Sequence, residues 1–347
     1  MLNILIPVLS FIKEAAAKLG NGSSQRMAPP SGSSPLAKVL ETDLMRGKDV
    51  LGIADLSAEE IHLIIDTAQQ LYLNKFDETQ TLFAKGQTLV MLFEKPSLRT
   101  RITFEAGMTQ LGGHAIYMEG PLGKREPVSD VAKNLERWVD AIMARTFLHE
   151  TVVSLAKNSN IPVVNGLSDL EHPCQALADF QTILQHKGNF KGLKLAFVGD
   201  GNNVANSLML LAAKVGTHFT LGCPEGFEPD ATLWAMAQEE ATKTGAILTI
   251  THDPVEACKN ADVVYTDVWV SMGQEAEADD KTKAFIPYQV NTALMNTAKP
   301  DAIFMHCLPA HRGEEVQDEV IDGPQSVVYD QAENRLHAQK AILSLVM

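Results

Sequence analysis

From Val50 onward the apolar positions fall into two alternating kinds of run. Short apolar stretches predict strands: "TLVMLF" (Thr88–Phe93), read as buried, His114–Met118, Ala141–Ala144 and Ile161–Val164, then Leu193–Val198, His218–Leu221, Ile247–Ile250, Val263–Thr266 and Ala302–Met305. Between them, apolar residues recur at helical spacing. "DLSAEEIHLIIDTAQQLY" opens with Ser57 as N-cap and Glu60 three residues on, a capping box. After "SLRTR", Ile102 and Ala106, and Phe104, Met108 and Leu111, repeat at helical intervals until Gly112-Gly113 stops the run. Further helices are predicted near Val128–Val139, after His172, near Val204–Val215, and from Ala332 to about Leu345. Strand and helix in alternation predict an α/β fold of two doubly wound domains, each with a central parallel sheet flanked by helices. No internal sequence repeat is evident.

The chain has 347 residues, 45% of them hydrophobic, enough for two ordinary domains. The polar, glycine-bearing stretch "HKGNFKGLK" (His186–Lys194) places the boundary. The expected division is an N-terminal extension at 1–40, a first domain at 41–186, a second at 187–330, and a C-terminal helix at 331–347. Within the extension, "LNILIPVLSFI" (Leu2–Ile12) is shorter than the roughly 20 apolar residues that span a bilayer. Residues 20–35, "GNGSSQRMAPPSGSSP", have the composition of a disordered linker. The extension is read as a simple appendage of a cytoplasmic protein; an organelle transit peptide is the alternative.

Charge narrows the partners. Lys and Arg number 29 against 43 Asp and Glu, a formal balance of −14, which argues against nonspecific binding to nucleic acid or to an anionic membrane. An anionic ligand must therefore be attracted locally. The four cysteines, Cys174, Cys223, Cys258 and Cys307, form no CxxC pair, so neither a disulfide framework nor a common metal motif is suggested and a reducing compartment fits.

Parallel sheets bind ligands beyond the carboxyl ends of their strands. That rule selects "EKPSLRTR" (Glu94–Arg101), Arg145, "GDGNN" (Gly199–Asn203), "DVWVSMG" (Asp267–Gly273) and "HCLPAHRG" (His306–Gly313). A helix start carrying Ser97, Arg99, Thr100 and Arg101 offers backbone N–H groups, hydroxyls and guanidinium forks, the equipment of an anion site suited to phosphate. "HPCQ" sets His172 and Gln175 three residues apart on one helix face, able to donate to a carbonyl and accept from an amide. "GDGNN" resembles half of a dinucleotide fingerprint but has Val204 where the third glycine belongs, so a nicotinamide dehydrogenase is disfavoured. His306, Cys307 and His311 lack a second ligand pair at metal spacing, and no metal or organic cofactor is expected. Taken singly, Cys307, Asp267 and Glu333 read as structural residues.

Together the pieces are specific. "FEKPSLRTRITFEAGMTQLGGHA", "HPCQALAD", "FVGDGNNVANSLM", "DVWVSMGQE", "MHCLPAHRGEEV" and "QAENRLHAQKAIL" resemble, in order, the motif set of the ornithine carbamoyltransferases, from about Val50 to the C-terminus. The resemblance implies one domain for carbamoyl phosphate and one for L-ornithine, the last helix packing back on the first domain, and a homotrimer with active sites near subunit interfaces. It implies Ser97, Leu98, Arg99 and Thr100 as holders of the phosphate. Arg145, His172 and Thr100 would polarise the carbamoyl oxygen, Gln175 would bind its amide end, and Arg335 would reach the same group. Asn203, Asp267, Ser271 and Met272 would hold the α-amino and α-carboxylate groups of ornithine. The Cys307 thiol and the Leu308 carbonyl would meet the carbamoyl group and orient the attacking amine. Chemistry would fall to Arg145, His172, Cys307, Asp267 and Thr100.

Three positions depart from that pattern. Leu98 stands where the family commonly has threonine, Pro121 in "EGPLGKREP" where it often has Gln or His reaching a neighbouring subunit, and "SDVAKNL" replaces "DTARVL". Alternatives to ornithine transfer are a related transcarbamylase using putrescine or an acylated ornithine, and a noncatalytic anion-binding protein of the same fold.

Overall fold

A computed structural model describes Leu36, residues 42–270 and residues 278–347, with side chains in the last segment described from Lys281. The apolar stretch Leu2–Ile12, the expected linker at 20–35, and the site candidates Ser271 and Met272 lie outside the described residues.

Two all-parallel sheets organise the chain. The first has four strands, β1 (Thr88–Phe93), β2 (His114–Glu119), β3 (Ala141–Arg145) and β4 (Val163–Leu167), in the order β2-β1-β3-β4. The second has five, β5 (Lys194–Val198), β6 (His218–Gly222), β7 (Leu248–Thr251), β8 (Val263–Thr266) and β9 (Ile303–His306), in the order β7-β6-β5-β8-β9. In each, the winding direction reverses beside the first strand, between β1 and β3 and between β5 and β8. Such reversals open the crevices where ligands bind.

Helices of eight residues or more are α1 (Ala58–Leu73), α2 (Leu98–Gln110), α3 (Val128–Leu135), α4 (His149–Lys157), α5 (Pro173–Lys187), α6 (Asn203–Val215), α7 (Ala231–Thr244), α8 (Ala278–Phe285) and α9 (Val328–Val346). The predicted capping box of α1 is formed in both directions, Ser57 Oγ accepting from Glu60 N and the Glu60 carboxylate from Ser57 N. In α2 the inward face is Thr100, Phe104, Gly107, Met108 and Leu111, the i, i+4, i+7, i+8, i+11 stripe. Ile102, which also falls at helical spacing, lies on the opposite side of the helix and is 53% exposed. Burying Phe104 and Met108 contributes about 1.5–3 kcal/mol each and anchors the helix whose N-terminus faces the crevice.

Two differences from the sequence expectation have visible causes. β4 runs Val163–Leu167 rather than Ile161–Val164 because its ladder with β3 continues to Arg145, with a bulge between Ala144 and Arg145 that sets Arg145 opposite Leu167. A bulge re-aims the side chain beyond it. The last helix starts at Val328, one turn earlier than expected, where Val328 is itself buried. From there α9 crosses the first half and packs on α1, α2 and α5. Helix α5 is buried from Pro173 to Leu184 and also touches α6 of the second half. Among the described residues no helix is long and apolar enough to cross a membrane.

Candidate active site

The strands on either side of both reversals end at one cleft. β1 leads into Lys95–Thr100, β3 ends in Arg145, β5 leads into Gly199–Asn203, β8 into Asp267, and β9 into Cys307. Their side chains enclose a cavity of about 770 Å³.

One wall is cationic. Ser97 is the N-cap of α2, its hydroxyl accepting from Thr100 N at 3.3 Å. The N–H groups of Leu98 and Arg99 precede the first intrahelical bond and belong to the unpaired donors of a helix start. Leu98 itself is 71% exposed, so the position contributes backbone, not side chain. Behind this turn the buried Thr100 hydroxyl oxygen accepts from Arg145 Nη1 at 3.3 Å and from Arg335 Nη2 at 2.8 Å. With its oxygen so engaged, the single O–H of Thr100 is left to donate elsewhere.

Arg145 and Arg335 are both buried, and the charges in this corner depress them. Desolvation, then the Arg335 and Arg99 guanidiniums, push Arg145 down to about 10. Desolvation and Arg99 lower Arg335 as well. Three guanidiniums converging in a recess favour an incoming anion. His172, the residue before α5, is buried in the same corner; desolvation first, then Arg335, Arg145 and Arg99, hold its imidazole well below the usual histidine range, so it is neutral near pH 7. Arg145 Nε, Arg335 Nε, His172 Nδ1 and Gln175 Oε1 are buried polar atoms that meet no hydrogen-bonding partner among the described residues.

The facing wall is acidic and thiol-bearing. Asp267 accepts from Asn202 Nδ2 and from Cys307 Sγ, both at 2.9 Å, and from Val268 N at 2.8 Å. Burial first, then Asp267, raises the Cys307 thiol well above its ordinary value, so it is a protonated donor rather than a thiolate. The next residue, Leu308, has a left-handed backbone with φ 59°, and its N–H donates to His306 Nδ1 at 2.8 Å. That bond makes Nδ1 an acceptor, so the ring proton sits on Nε2 and faces Glu315 at 3.1 Å. His306 Nδ1 and Nε2 are thus both engaged, although Asp267, His306 and Cys307 lie close enough together to resemble a metal cluster.

Asn202 caps α6 through Val204 N and Ala205 N, while Asn203 Nδ2 donates to Ser168 O at 2.6 Å. Gly201 explains the half fingerprint in "GDGNN". A Cβ there would come within 2.5 Å of the Glu228 carbonyl carbon and Pro229 nitrogen, so this glycine serves the chain's own close packing.

Every described site candidate except Thr100 lines the cavity: Ser97, Leu98, Arg99 and Arg145, then His172, Gln175 and Arg335, and opposite them Asn203, Asp267, Cys307 and Leu308. Thr100 stands directly behind, holding two of the arginines. Pro121 is exposed. Sequence reasoning missed the supports. Glu171, buried beside His172, accepts from Ile53 N at 2.8 Å, Ala54 N at 3.4 Å and Ser207 Oγ at 2.9 Å, and Ser207 Oγ also accepts from His172 N at 2.9 Å. Asp179 and Gln331, both buried, were also passed over. Asp179 follows Gln175 by four residues on a helix, a spacing that could have flagged it.

A cleft between two doubly wound halves, cationic on one side and carboxylate-bearing on the other, defines a transferase that brings an anionic donor to an amine-bearing acceptor. Residues 48–185 match the family model described as aspartate/ornithine carbamoyltransferase, carbamoyl-P binding domain, and residues 191–346 match its Asp/Orn binding domain. The chain belongs to the aspartate/ornithine carbamoyltransferase family. It is 54% identical over 307 residues to the ornithine carbamoyltransferase of Thermococcus kodakarensis, covering 87% of this chain and 97% of that one. It is also 54% identical over 307 residues to the anabolic ornithine carbamoyltransferase of Pyrococcus furiosus, again covering 87% and 97%. A solved structure of ornithine carbamoyltransferase from Pyrococcus furiosus superposes with a TM-score of 0.83 at 53% identity, covering 87% of this chain and 98% of that one.

Proposed function

We infer that the protein is an ornithine carbamoyltransferase, moving the carbamoyl group of carbamoyl phosphate to the side-chain amine of L-ornithine and releasing L-citrulline and phosphate. The observation that carries this reading is the meeting of Arg145 and Arg335 on the Thr100 hydroxyl, across the cleft from the Cys307–Asp267 pair.

The α2 N-terminus at Ser97–Thr100 and the Arg99 guanidinium hold the phosphate. Arg145, neutral His172 and the Thr100 O–H converge on the carbamoyl oxygen, where charge grows as the carbon becomes tetrahedral; preorganised donors at such an oxygen supply a large share of rate enhancement. Gln175 and Arg335 hold the rest of the carbamoyl group. Ornithine lies against Asn203, Asp267, Ser271 and Met272, and its side-chain amine faces the Cys307 thiol and the Leu308 carbonyl. The neutral amine attacks the carbamoyl carbon, the C–N bond forms, the C–O bond to phosphate breaks, and the surplus amine proton leaves with the phosphate.

The domains divide at 41–186 and 187–330, with 331–347 returning to the first. Exposed Leu98, Ile102, Ile116 and Met118 on one half suit a homotrimer. Four free thiols suit a reducing cytoplasm.

The test is citrulline formation from carbamoyl phosphate with ornithine, putrescine and Nα-acetylornithine in parallel, for the wild type and Arg99→Ala, with sedimentation of the wild type for the trimer. Turnover with a preference for ornithine, and loss of that turnover in Arg99→Ala, is expected. Preference for another amine overturns the substrate assignment, and no turnover with any returns the noncatalytic reading.

A further inference from the structure

We propose that Asp179 is the positioning residue that turns the Gln175 carboxamide oxygen toward the donor substrate, making the site selective for an amide N–H at that point. The proposal rests on the carbamoyl-transfer reading above and goes beyond it, because it assigns a role to a buried group that touches no substrate.

Asp179 is fully buried one helical turn after Gln175. Its Oδ1 accepts from Gln175 Nε2 at 2.8 Å and from Gln331 Nε2 at 2.7 Å, and its Oδ2 accepts from Tyr265 OH at 3.0 Å. Three donors meet the carboxylate, and each carboxamide has one donating and one accepting end. Turning either amide over would set oxygen against oxygen at hydrogen-bond distance. Gln175 is therefore locked with Nε2 inward. Its Oε1, buried and unmet by any described group, is left for the cavity that Gln175 lines. An acceptor there suits the NH₂ of a carbamoyl group and gives nothing to a methyl group of the same shape.

The same carboxylate fixes the Gln331 amide in the same sense. Gln331 Oε1 accepts from His306 N at 2.9 Å, one residue before Cys307. One buried acid thus orients an amide on the donor side and steadies the strand end on the acceptor side. Tyr265 on β8, Gln331 on α9 and Gln175 on α5 bring both halves of the molecule to it. Burial pushes the carboxyl up to about 7, while these three donors act in the other direction.

The test compares carbamoyl phosphate with acetyl phosphate, its methyl isostere, as substrate and competitive inhibitor of citrulline formation. The wild type is expected to favour carbamoyl phosphate, since a site built to hydrogen-bond an N–H rejects the analogue lacking it. In Asp179→Leu, which removes the oxygen that both amides donate to, the ratio of the two affinities should shrink by roughly tenfold, the scale of one lost hydrogen bond. In Gln175→Ala it should shrink similarly, and the double variant should be no worse than Gln175→Ala alone. Equal weakening toward both phosphates, or losses that add in the double variant, overturns the proposal and leaves Asp179 a structural residue. If Asp179→Leu does not fold, Asp179→Asn decides. Its Oδ1 still accepts from both amides, so the carbamoyl preference should persist within about threefold. A loss as large as in Gln175→Ala overturns the idea. A wild type that forms no citrulline instead overturns the functional reading itself.

Discussion

Arg335 Nη2 lies 2.8 Å from Thr100 Oγ1, joining the last helix of the chain to the helix whose start forms the anion site. Arg145 reaches the same oxygen at 3.3 Å, so one hydroxyl spaces two like-charged forks. Thr100→Val keeps the shape and removes that oxygen. The expected result is a fall in kcat of roughly 100-fold, the scale of losing one oxyanion donor, with the carbamoyl phosphate KM also raised. Steady-state kinetics at fixed pH check it; a variant within about threefold of wild type would remove Thr100 from the chemistry.

The attacking amine sets the pH dependence. Its lysine-like pKa of about 10 means that the neutral fraction rises about tenfold per pH unit below that value, and kcat/KM for ornithine should rise with it. His172 adds no inflection near its ordinary value of about 6.5, because its depressed pKa keeps it neutral on both sides of that pH. Rate profiles from pH 6 to 9.5, with chemistry shown to be limiting, measure both expectations. A step near pH 6.5 that disappears in His172→Asn would show that the imidazole titrates in the usual range.

How much of this was legible beforehand follows from the range over which each signal acts. The central strands announced themselves because both faces are covered, leaving continuous apolar runs such as Thr88–Phe93, whereas the edge strands β2 and β7 are exposed or half-buried along most of their length. The strand-end rule then placed Arg99, Arg145, Asn203, Asp267 and Cys307 in one cleft. Which of the two helical series in α2 faces inward was not legible, because they overlap in the same segment and only packing, here against α9, decides between them. Glu171, Asp179 and Gln331 were passed over for a related reason: apart from the four-residue spacing of Gln175 and Asp179, what holds them is not local. Their partners are residues far away in sequence, such as Ile53, Tyr265 and His306, and no local pattern encodes such pairings.

Glu171 gives a stability prediction. Burial raises its carboxyl to about 7, although the bonds from Ile53 N and Ser207 Oγ act in the other direction. The folded state therefore keeps a proton that the unfolded chain releases above about pH 4.5. This contribution is fully present below pH 4.5 and is lost as pH rises through about 7, amounting to about 3 kcal/mol in all. Urea midpoints at pH 5 and pH 8 should show Glu171→Gln destabilised more at the lower pH, with the gap to wild type shrinking at the higher. A gap that does not change with pH would mean that Glu171 is ionised in both states.

Cys307 is open to reagents in the cavity yet poor as a nucleophile, since burial and Asp267 keep it a thiol. Alkylation by iodoacetamide at pH 7 should be slower than that of an unperturbed cysteine and should accelerate with rising pH. Mass spectrometry of the labelled peptide resolves it from Cys174, Cys223 and Cys258, which are buried. Fast labelling at pH 7 would establish a thiolate and shift the Cys307–Asp267 proton to the carboxylate.

The recessed arginines have a consequence for how the donor substrate arrives. The molecule as a whole carries a formal charge of −14, while Arg145 and Arg335 lie almost wholly out of contact with solvent. At long range an approaching dianion is repelled, and it gains the attraction of the guanidiniums only after entering the cleft. Added salt shortens the reach of the outer field to about 8 Å at physiological strength and leaves the dry interior contacts nearly untouched. Moderate salt should therefore hasten encounter rather than slow it, the reverse of what a surface-exposed cationic patch produces.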